Sequence, residues 1–302
     1  MLHGNDMVTV PYVSGCRQPA GTFPVLVPFS PAETVSNCQT RLGRLECPDT
    51  GRTTGILPHA STTVRGELSM EIHLASLLRG AQEAEGTVII IDVFRAFTTA
   101  AVAFDRGAEQ IVLVAEVEEA LELRRRGVGH LCVGEVDGKR PPGFDFGNSP
   151  YEVSQADFTG QRLIQSTRAG TVGVNAAAAA DTLYLGSFVI ATATVQAILA
   201  STPPLVTIVA MGQAAKQRAD EDEQCALYLR NLLQGRRPDP EAVQKLVLVG
   251  QEAQKYGDPS QPHFHPRDPE LALHIDRYPF AIRVRREEGL LVARPQRPLS
   301  TP

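Results

Sequence analysis

Residues 87–99 read TVIIIDVFRAFTT. Val88 to Ile91 form a β-branched run of the kind found in a strand covered on both faces, and Ala96 to Phe104 read as a packed helix. Asp92 and Arg95 stand between them, at a strand's carboxyl end, where open α/β sheets bind ligands. Two readings of the pair are open: chemistry at that tip, or an Asp capping the next helix with Arg as its ion-pair partner.

Strand and helix alternate outward from this stretch. Gln110 to Val114 reads as a strand, Val117 to Arg126 as an amphipathic helix stopped by Gly127, and Leu131 to Val133 as a short strand. A Pro/Gly-rich loop, Glu135 to Pro150, interrupts the rhythm. It resumes with a strand at Arg162 to Ile164, an Ala-rich helix near Val174 to Ala180, a strand at Thr182 to Leu185, a helix at Thr192 to Ala200 and a strand at Val206 to Ala210. Helices follow at Asp222 to Gln234 and Glu241 to Tyr256. Phe280 to Val284 and Leu290 to Val292, around Glu288-Gly289, suggest a terminal hairpin. The pattern predicts an α/β fold of three layers, α/β/α, about a largely parallel mixed sheet.

Residues 1–69 differ, being rich in Pro, Gly, Thr and Ser, with Pro24, Pro28, Pro31 and Pro48 breaking each apolar patch. They read as a low-complexity, disordered extension, or as upstream sequence ahead of an initiator at Met70; residues 70–302 form the functional domain. The whole chain has 302 residues and a net charge of −5, with acids and bases interspersed. That balance supplies neither the basic stripe of a nucleic-acid binder nor a polybasic membrane face. No apolar run approaches the roughly 20 residues that cross a bilayer, and no secretory signal is visible, so a cytoplasmic location is expected. Cys16, Cys38, Cys47, Cys132 and Cys225 are widely spaced without a CxxC pair, which predicts free thiols and disfavours a zinc site.

Several polar residues fall just after the expected strands: Asp92, Glu135, the Ser166–Thr171 turn, Gly186-Ser187 and Met211-Gly212. Parallel strands would gather them at one edge. The turn Ser166-Thr167-Arg168-Ala169-Gly170-Thr171 offers hydroxyls, a guanidinium and backbone N–H groups at a helix start, either as an anion cradle or as an ordinary turn. In the acid run Asp220–Glu223, a capping box accounts for Asp220 and Glu223. Glu221 and Asp222, with Asp92 and Glu135, could supply hard oxygen ligands for Mg²⁺, or simply open a solvated helix. The loop carrying Lys139, Arg140, Phe144, Asp145, Asn148 and Ser149 is long enough for a wall or lid; alternatively Asp145 caps a structural turn. Gly127-Val128-Gly129 follows a helix and has Cys132 where a third glycine belongs, which excludes a nicotinamide site. Phe94 stands where a DxD phosphatase carries its second acid, and His263 and His265 read as solvated loop residues.

Four separated blocks, VIIIDVFRAFTTA, GEVDGKRPPGFDFGNSP, STRAGT and MGQAAKQRADEDEQCA, carry a resemblance to the 2-phosphosulfolactate phosphatases of the ComB type, over about residues 70–295. The resemblance implies a ComB-like fold and a Mg²⁺-dependent phosphoric monoester hydrolase. The implied reaction converts 2-phosphosulfolactate to sulfolactate and phosphate, a step towards coenzyme M, and the implied assembly is a homodimer. On that footing Asp92, Glu221 and Asp222 are expected to hold Mg²⁺, and Asp92, Arg95 and Glu135 to form the catalytic set, with Arg95 clamping phosphate. Ser166, Thr167, Gly170 and Thr171 are expected to bind further oxygens, Arg168 the carboxylate or sulfonate, and Asp145, Asn148 and Ser149 the same small anionic phosphorylated substrate. Whether Asp92 is metal ligand or phosphoryl acceptor is open at this stage. So are two alternatives: another phosphorylated hydroxy acid as substrate, and a non-catalytic anion-binding protein.

Overall fold

The structure, a computed structural model, describes residues 70–297. The expected extension, with Cys16, Cys38 and Cys47, lies outside the described residues. Cys132 and Cys225 are buried free thiols.

Nine strands form one mixed sheet. In chain order they are β1 (Glu71–Ser76), β2 (Gly86–Ile91), β3 (Gln110–Val114), β4 (Leu131–Gly134), β5 (Arg162–Ser166), β6 (Ala180–Gly186), β7 (Leu205–Ala210), β8 (Ala281–Glu287) and β9 (Leu290–Gln296). Their spatial order is β1-β7-β2-β6-β8-β9-β3-β5-β4. The helices are α1 (Leu77–Gln82), α2 (Ala96–Asp105), α3 (Val117–Arg125), α4 (Pro150–Ser154), α5 (Gly170–Ala176), α6 (Ala191–Ser201), α7 (Asp220–Leu233), α8 (Pro240–Leu248) and α9 (Asp268–Ala272). None of them is long and apolar enough to cross a membrane.

The expected three-layer α/β/α architecture is present, with helices on both faces of a largely parallel sheet. Val88 and Ile90 point to one face, where α2 and α5 pack, and Ile89 and Ile91 to the other, where α6 and α7 pack. This is the two-period of a strand buried on both sides, and it accounts for the absence of polar residues from Val88 to Ile91.

The hairpin β8–β9 changes how the strand tips meet. It pairs antiparallel with β6 on one side and with β3 on the other. As a result β3, β5 and β4 run opposite to β1, β7, β2 and β6, so parallel strands alone do not gather the tips, although Asp92, Glu135, Arg168 and Gly212, which follow β2, β4, β5 and β7, do meet at one cavity. The turn leaving β5 crosses to the tip of β2, where Gly170 N donates to Asp92 Oδ2 at 2.8 Å. Right-handed twist helps this approach: the five strand steps from β2 to β5, at about 20° each, rotate the strands by roughly 100°.

Local differences from the sequence reading have local causes. The Ala-rich helix starts earlier, at Gly170, and has ended by Ala177; Ala180 already opens β6. The expected helix over Glu241 to Tyr256 stops at Leu248, and a short 3₁₀ turn, Ala253–Lys255, follows. The capping box is absent. Ala219 is the N-cap of α7 and makes no side-chain cap, so Asp220 sits one position too late, and Glu223 accepts from Ser76 Oγ at 2.7 Å. β1, a half-exposed edge strand, went unread in EIHLAS because its exposure does not alternate cleanly.

Gly134 ends β4 opposite Ser166. A Cβ there would stand 1.9 Å from the Ser166 carbonyl oxygen, at a φ of +154°. Only glycine lets β4 and β5 close at this point and deliver Glu135 to the turn beyond. Gly134→Ala is therefore expected to cost about 2–3 kcal/mol and to lower Tm by roughly 4–12 °C, read by thermal unfolding; an unchanged Tm would contradict the close approach.

Candidate active site

Asp92 follows β2 and is 6% exposed. Its Oδ1 accepts from Ala96 N at 2.9 Å and its Oδ2 from Gly170 N. The carboxylate therefore holds the start of α2, as the capping reading expected, but Arg95 pairs with Asp268 and not with Asp92; Asp92 also lines a cavity of 250 Å³. Burial pushes its pKa up to about 6, and the nearby Glu135 charge adds to the shift; the Ala96 and Gly170 N–H groups and Arg95 act against it.

Glu221 comes from the first turn of α7 and is 3% exposed. Burial first, then the charges of Glu252, Asp92 and Asp220, raise its pKa to about 8. Its Oε2 is buried with no hydrogen-bond partner, although Glu221 lines the same cavity as Asp92. A buried, unsatisfied carboxylate oxygen is costly unless a ligand supplies its partner. Asn148 Oδ1, buried and without a partner, lines that cavity too.

Asp222 lies beneath the cavity and does not line it. Its Oδ1 accepts from Val93 N at 2.7 Å and its Oδ2 from Gly212 N at 2.8 Å, so it joins the exits of β2 and β7. Burial and the charges of Glu221 and Asp92 hold its pKa well above the ordinary carboxyl range. Glu135 plays a matching role on the other side of the cavity: Oε1 accepts from Arg168 N and Oε2 from Gly138 N, both at 2.7 Å.

Arg95 lines the cavity, but its guanidinium is already committed. Nη1 donates to the His263 carbonyl at 2.8 Å and to Asp268 Oδ2 at 3.2 Å, and Nη2 donates to the Gly138 carbonyl at 3.1 Å. Phe264 lies 4.9 Å and Tyr256 5.9 Å from its Cζ. Arg95 is thus a buried pin between the start of α2, the Gly138 loop and the 256–268 loop. Arg168 is the more available guanidinium, half-exposed at the cavity wall and 3.5 Å from Glu116.

The remaining expected residues build the walls. Thr167 N donates to Thr171 Oγ1 at 2.8 Å, and Thr171 Oγ1 donates to the Thr167 carbonyl at 2.9 Å, which knots the turn. Ser166 Oγ donates to the Ala115 carbonyl. Asp145 accepts from Cys132 N and from Arg124, both at 2.8 Å, as a structural turn would require. Ser149 caps α4 and donates to Asp268 Oδ1 at 2.7 Å. None of Asp145, Ser149, Ser166, Thr167, Gly170, Thr171 or Asp222 lines the cavity.

Other lining residues went unread in the sequence. Glu252 and Lys255, ion-paired at 2.6 Å, lie at the cavity with Gln261, Phe264 and His263. His263 is a partly exposed loop residue at the cavity, and burial, Lys139 and Arg95 push its pKa down. Asp268, fully buried beneath Arg95, was also missed. An acid and a base three residues apart, as in Glu252 and Lys255, were the available signal, hidden by reading one long helix across them.

Among the described residues no three His, Cys, Asp or Glu side chains stand together as a ready-made metal cage. Mg²⁺ needs no such cage, because it binds one or two carboxylates and completes its shell with water and substrate oxygens. Asp92 and Glu221 fit such a site, because both are buried, both line the cavity and one oxygen lacks a partner. Asp222, with each oxygen already accepting a backbone N–H and none facing the cavity, does not fit as a direct ligand.

The raised pKa values of Asp92 and Glu221, together with that of Asp222, give the stability a pH dependence. Asp92 and Glu221 have folded-state values above their unfolded ones, near 4, so their contribution is full below about pH 4. It is lost as pH rises through about 6 for Asp92 and about 8 for Glu221. Without divalent cation, Tm is expected to fall between pH 5 and 8.5. Glu221→Gln should flatten that fall and leave the variant several degrees more stable than the wild type at pH 8. Parallel profiles for the two proteins would contradict the assignment.

Comparison with known proteins identifies a family. A family model described as 2-phosphosulpholactate phosphatase matches residues 72–260, which include every cavity residue named above except Gln261, His263 and Phe264. A probable 2-phosphosulfolactate phosphatase of Bacillus subtilis is 33% identical over 184 residues, covering 60% of this chain and 78% of the relative. The relative of the same description in Deinococcus radiodurans is 36% identical over 134 residues, covering 44% and 56%. That of Carboxydothermus hydrogenoformans is 41% identical over 112 residues, covering 37% and 46%, so these last two matches span about half of each relative. The chain belongs to the 2-phosphosulfolactate phosphatase family of phosphoric monoester hydrolases.

Proposed function

We propose that this chain is a Mg²⁺-dependent phosphatase that hydrolyses 2-phosphosulfolactate to sulfolactate and phosphate. The observation that carries the reading is the pairing of Asp92 with Glu221, two buried carboxylates at one cavity, with Glu221 Oε2 unpartnered. A phosphate ester that also bears a carboxylate and a sulfonate would be repelled by these acids. A divalent cation between them and the substrate removes that repulsion. Bound by Asp92 and Glu221, Mg²⁺ supplies positive charge against the phosphoryl oxygens as the P–O bond breaks.

The chain's own residues do the rest. Arg168 is positioned to take a carboxylate or sulfonate through a planar, two-pronged contact, which a Lys cannot reproduce. Asn148 can turn its amide to a substrate oxygen. Lys255 faces the cavity from the opposite loop and adds a cation. Arg95 acts through position: by holding Gly138, His263 and Asp268 it keeps both loops closed over the acids and helps exclude water from them.

Purified protein is expected to release phosphate from 2-phosphosulfolactate with Mg²⁺ and to stop in EDTA. Asp92→Asn should lower kcat/KM at least a thousandfold. Turnover of a different phosphorylated hydroxy acid in its place would move the substrate and keep the site. Ligand binding without phosphate release from any of them would make this a binding protein of the same fold.

Arg95 and Arg168 make separable predictions. Arg168→Lys should raise KM roughly tenfold or more with little change in Tm. Arg95→Lys should lower Tm by several degrees, because the buried pairing with Asp268 and the two carbonyl contacts cannot all be rebuilt. The reverse pattern would return phosphate clamping to Arg95.

A further inference from the structure

The two faces of the sheet are covered differently. On the face of α2 and α5 the core runs unbroken from Val88 and Ile90 through Ile282, Val284, Leu291 and Ala293 to Ile111 and Leu163. On the other face it is divided. Ile89, Ile91 and Tyr184 pack with α6 and α7, while Val112, Ile164 and Val292 pack with α3. Between these clusters lies an open groove of 600 Å³ lined by β8 and β9 alone, which shares no residue with the catalytic cavity.

Three guanidiniums meet in that groove. The register sets Arg283 directly opposite Arg294 and beside Tyr184 of β6, and Arg285 follows two residues along the same face. Like charges directly opposed across a strand pair destabilise it unless something lies between them. Arg294 is relieved by Glu287 and Gln110. Glu287 is the groove's one acid. Neither Arg283 nor Arg285 has an ion-pair partner among the described residues, and Arg283 Nε is buried with no acceptor. The Tyr184 hydroxyl, behind the groove, donates to Gln296 Oε1 at 3.5 Å.

We propose that this groove is a second anion site, separate from the catalytic cavity, which takes a small solute carrying two linked phosphoryl groups. Guanidiniums grip phosphoryl oxygens in pairs. The Cα positions of Arg283 and Arg294 lie about 5 Å apart across the strands and that of Arg285 about 7 Å further along, so three guanidiniums in two rows are available to a diphosphate, more than a single phosphate needs. The ligand supplies the acceptor that Arg283 Nε lacks and screens the opposed charges.

The test is calorimetric titration of the full chain with inorganic pyrophosphate in EDTA, where the acid-lined catalytic cavity repels anions. One saturable site is expected. Arg285→Gln should weaken it at least tenfold, as should Arg294→Gln, an exposed substitution that keeps the proposal testable if either variant alone is poorly folded. Phosphatase turnover should stay at the wild-type level in both. Tighter binding of ADP would identify a nucleotide as the source of the two phosphoryl groups, and equal or weaker binding would identify the diphosphate itself; either supports the site. No binding by the wild type would overturn the proposal, as would binding unchanged in both variants, or binding lost in Arg168→Gln but kept in Arg285→Gln. It would also fall if the wild type were a dimer that Arg285→Gln dissociates, with no pyrophosphate bound by either, because a second copy would then fill the groove.

Discussion

The contact between Asp92 and the Gly170 N–H, 2.8 Å long, joins parts of the molecule that the sheet alone would keep apart. Asp92 ends a strand of one half of the sheet, and Gly170 begins the helix that follows a strand of the oppositely directed half. The same carboxylate holds the first turn of α2 through Ala96 N. A buried acid that fixes two helix starts cannot relax away from its neighbours, and that rigidity is what a reactive carboxylate needs. The energetic cost shows in its raised pKa, since burial outweighs the two N–H contacts that favour the charged form.

Around that contact the cavity is arranged by charge. Asp92, Glu135 and Asp222 each use both oxygens on backbone N–H groups and so fix helix starts and loops, but only Asp92 and Glu135 of the three also line the cavity. Glu221 alone keeps an oxygen without a partner, beside Asp92. Opposite stand Arg168 and Lys255, each paired with a flanking acid that an incoming anion can displace. Guanidinium and ammonium groups around buried acids separate the residues that hold the cavity from those free to meet an anion.

Much of this could be read from the chain because it is written locally. The run Val88 to Ile91 between Gly86 and Asp92, the stop at Gly127 and the strand–turn–helix at Ser166–Thr171 each declare themselves within a dozen residues. Asp92, Glu135, Arg168 and Glu221 stand beside such signals, the family resemblance assigned them and Asn148 to the site, and all five line the cavity. What escaped is nonlocal. Nothing near Ala281 or Leu290 says that their hairpin enters between β6 and β3 and reverses half the sheet. Arg95 looked like a phosphate clamp because its partners, Asp268 and the His263 and Gly138 carbonyls, lie at least 43 residues away in the chain. Lys255 and Glu252 were hidden inside a helix read as continuous, and Asp145 and Ser149 were read as substrate contacts where each satisfies a backbone group nearby.

The central claim is that Asp92 and Glu221 together form a divalent-cation site. Calorimetric titration of Mg²⁺ into the full chain, its Asp92→Asn variant and its Glu221→Gln variant tests it without reference to any substrate. The account predicts one site per chain in the wild type and binding at least a hundredfold weaker in each variant, with both variants still folded. Undiminished Mg²⁺ binding in either variant, or none in the wild type, would contradict it.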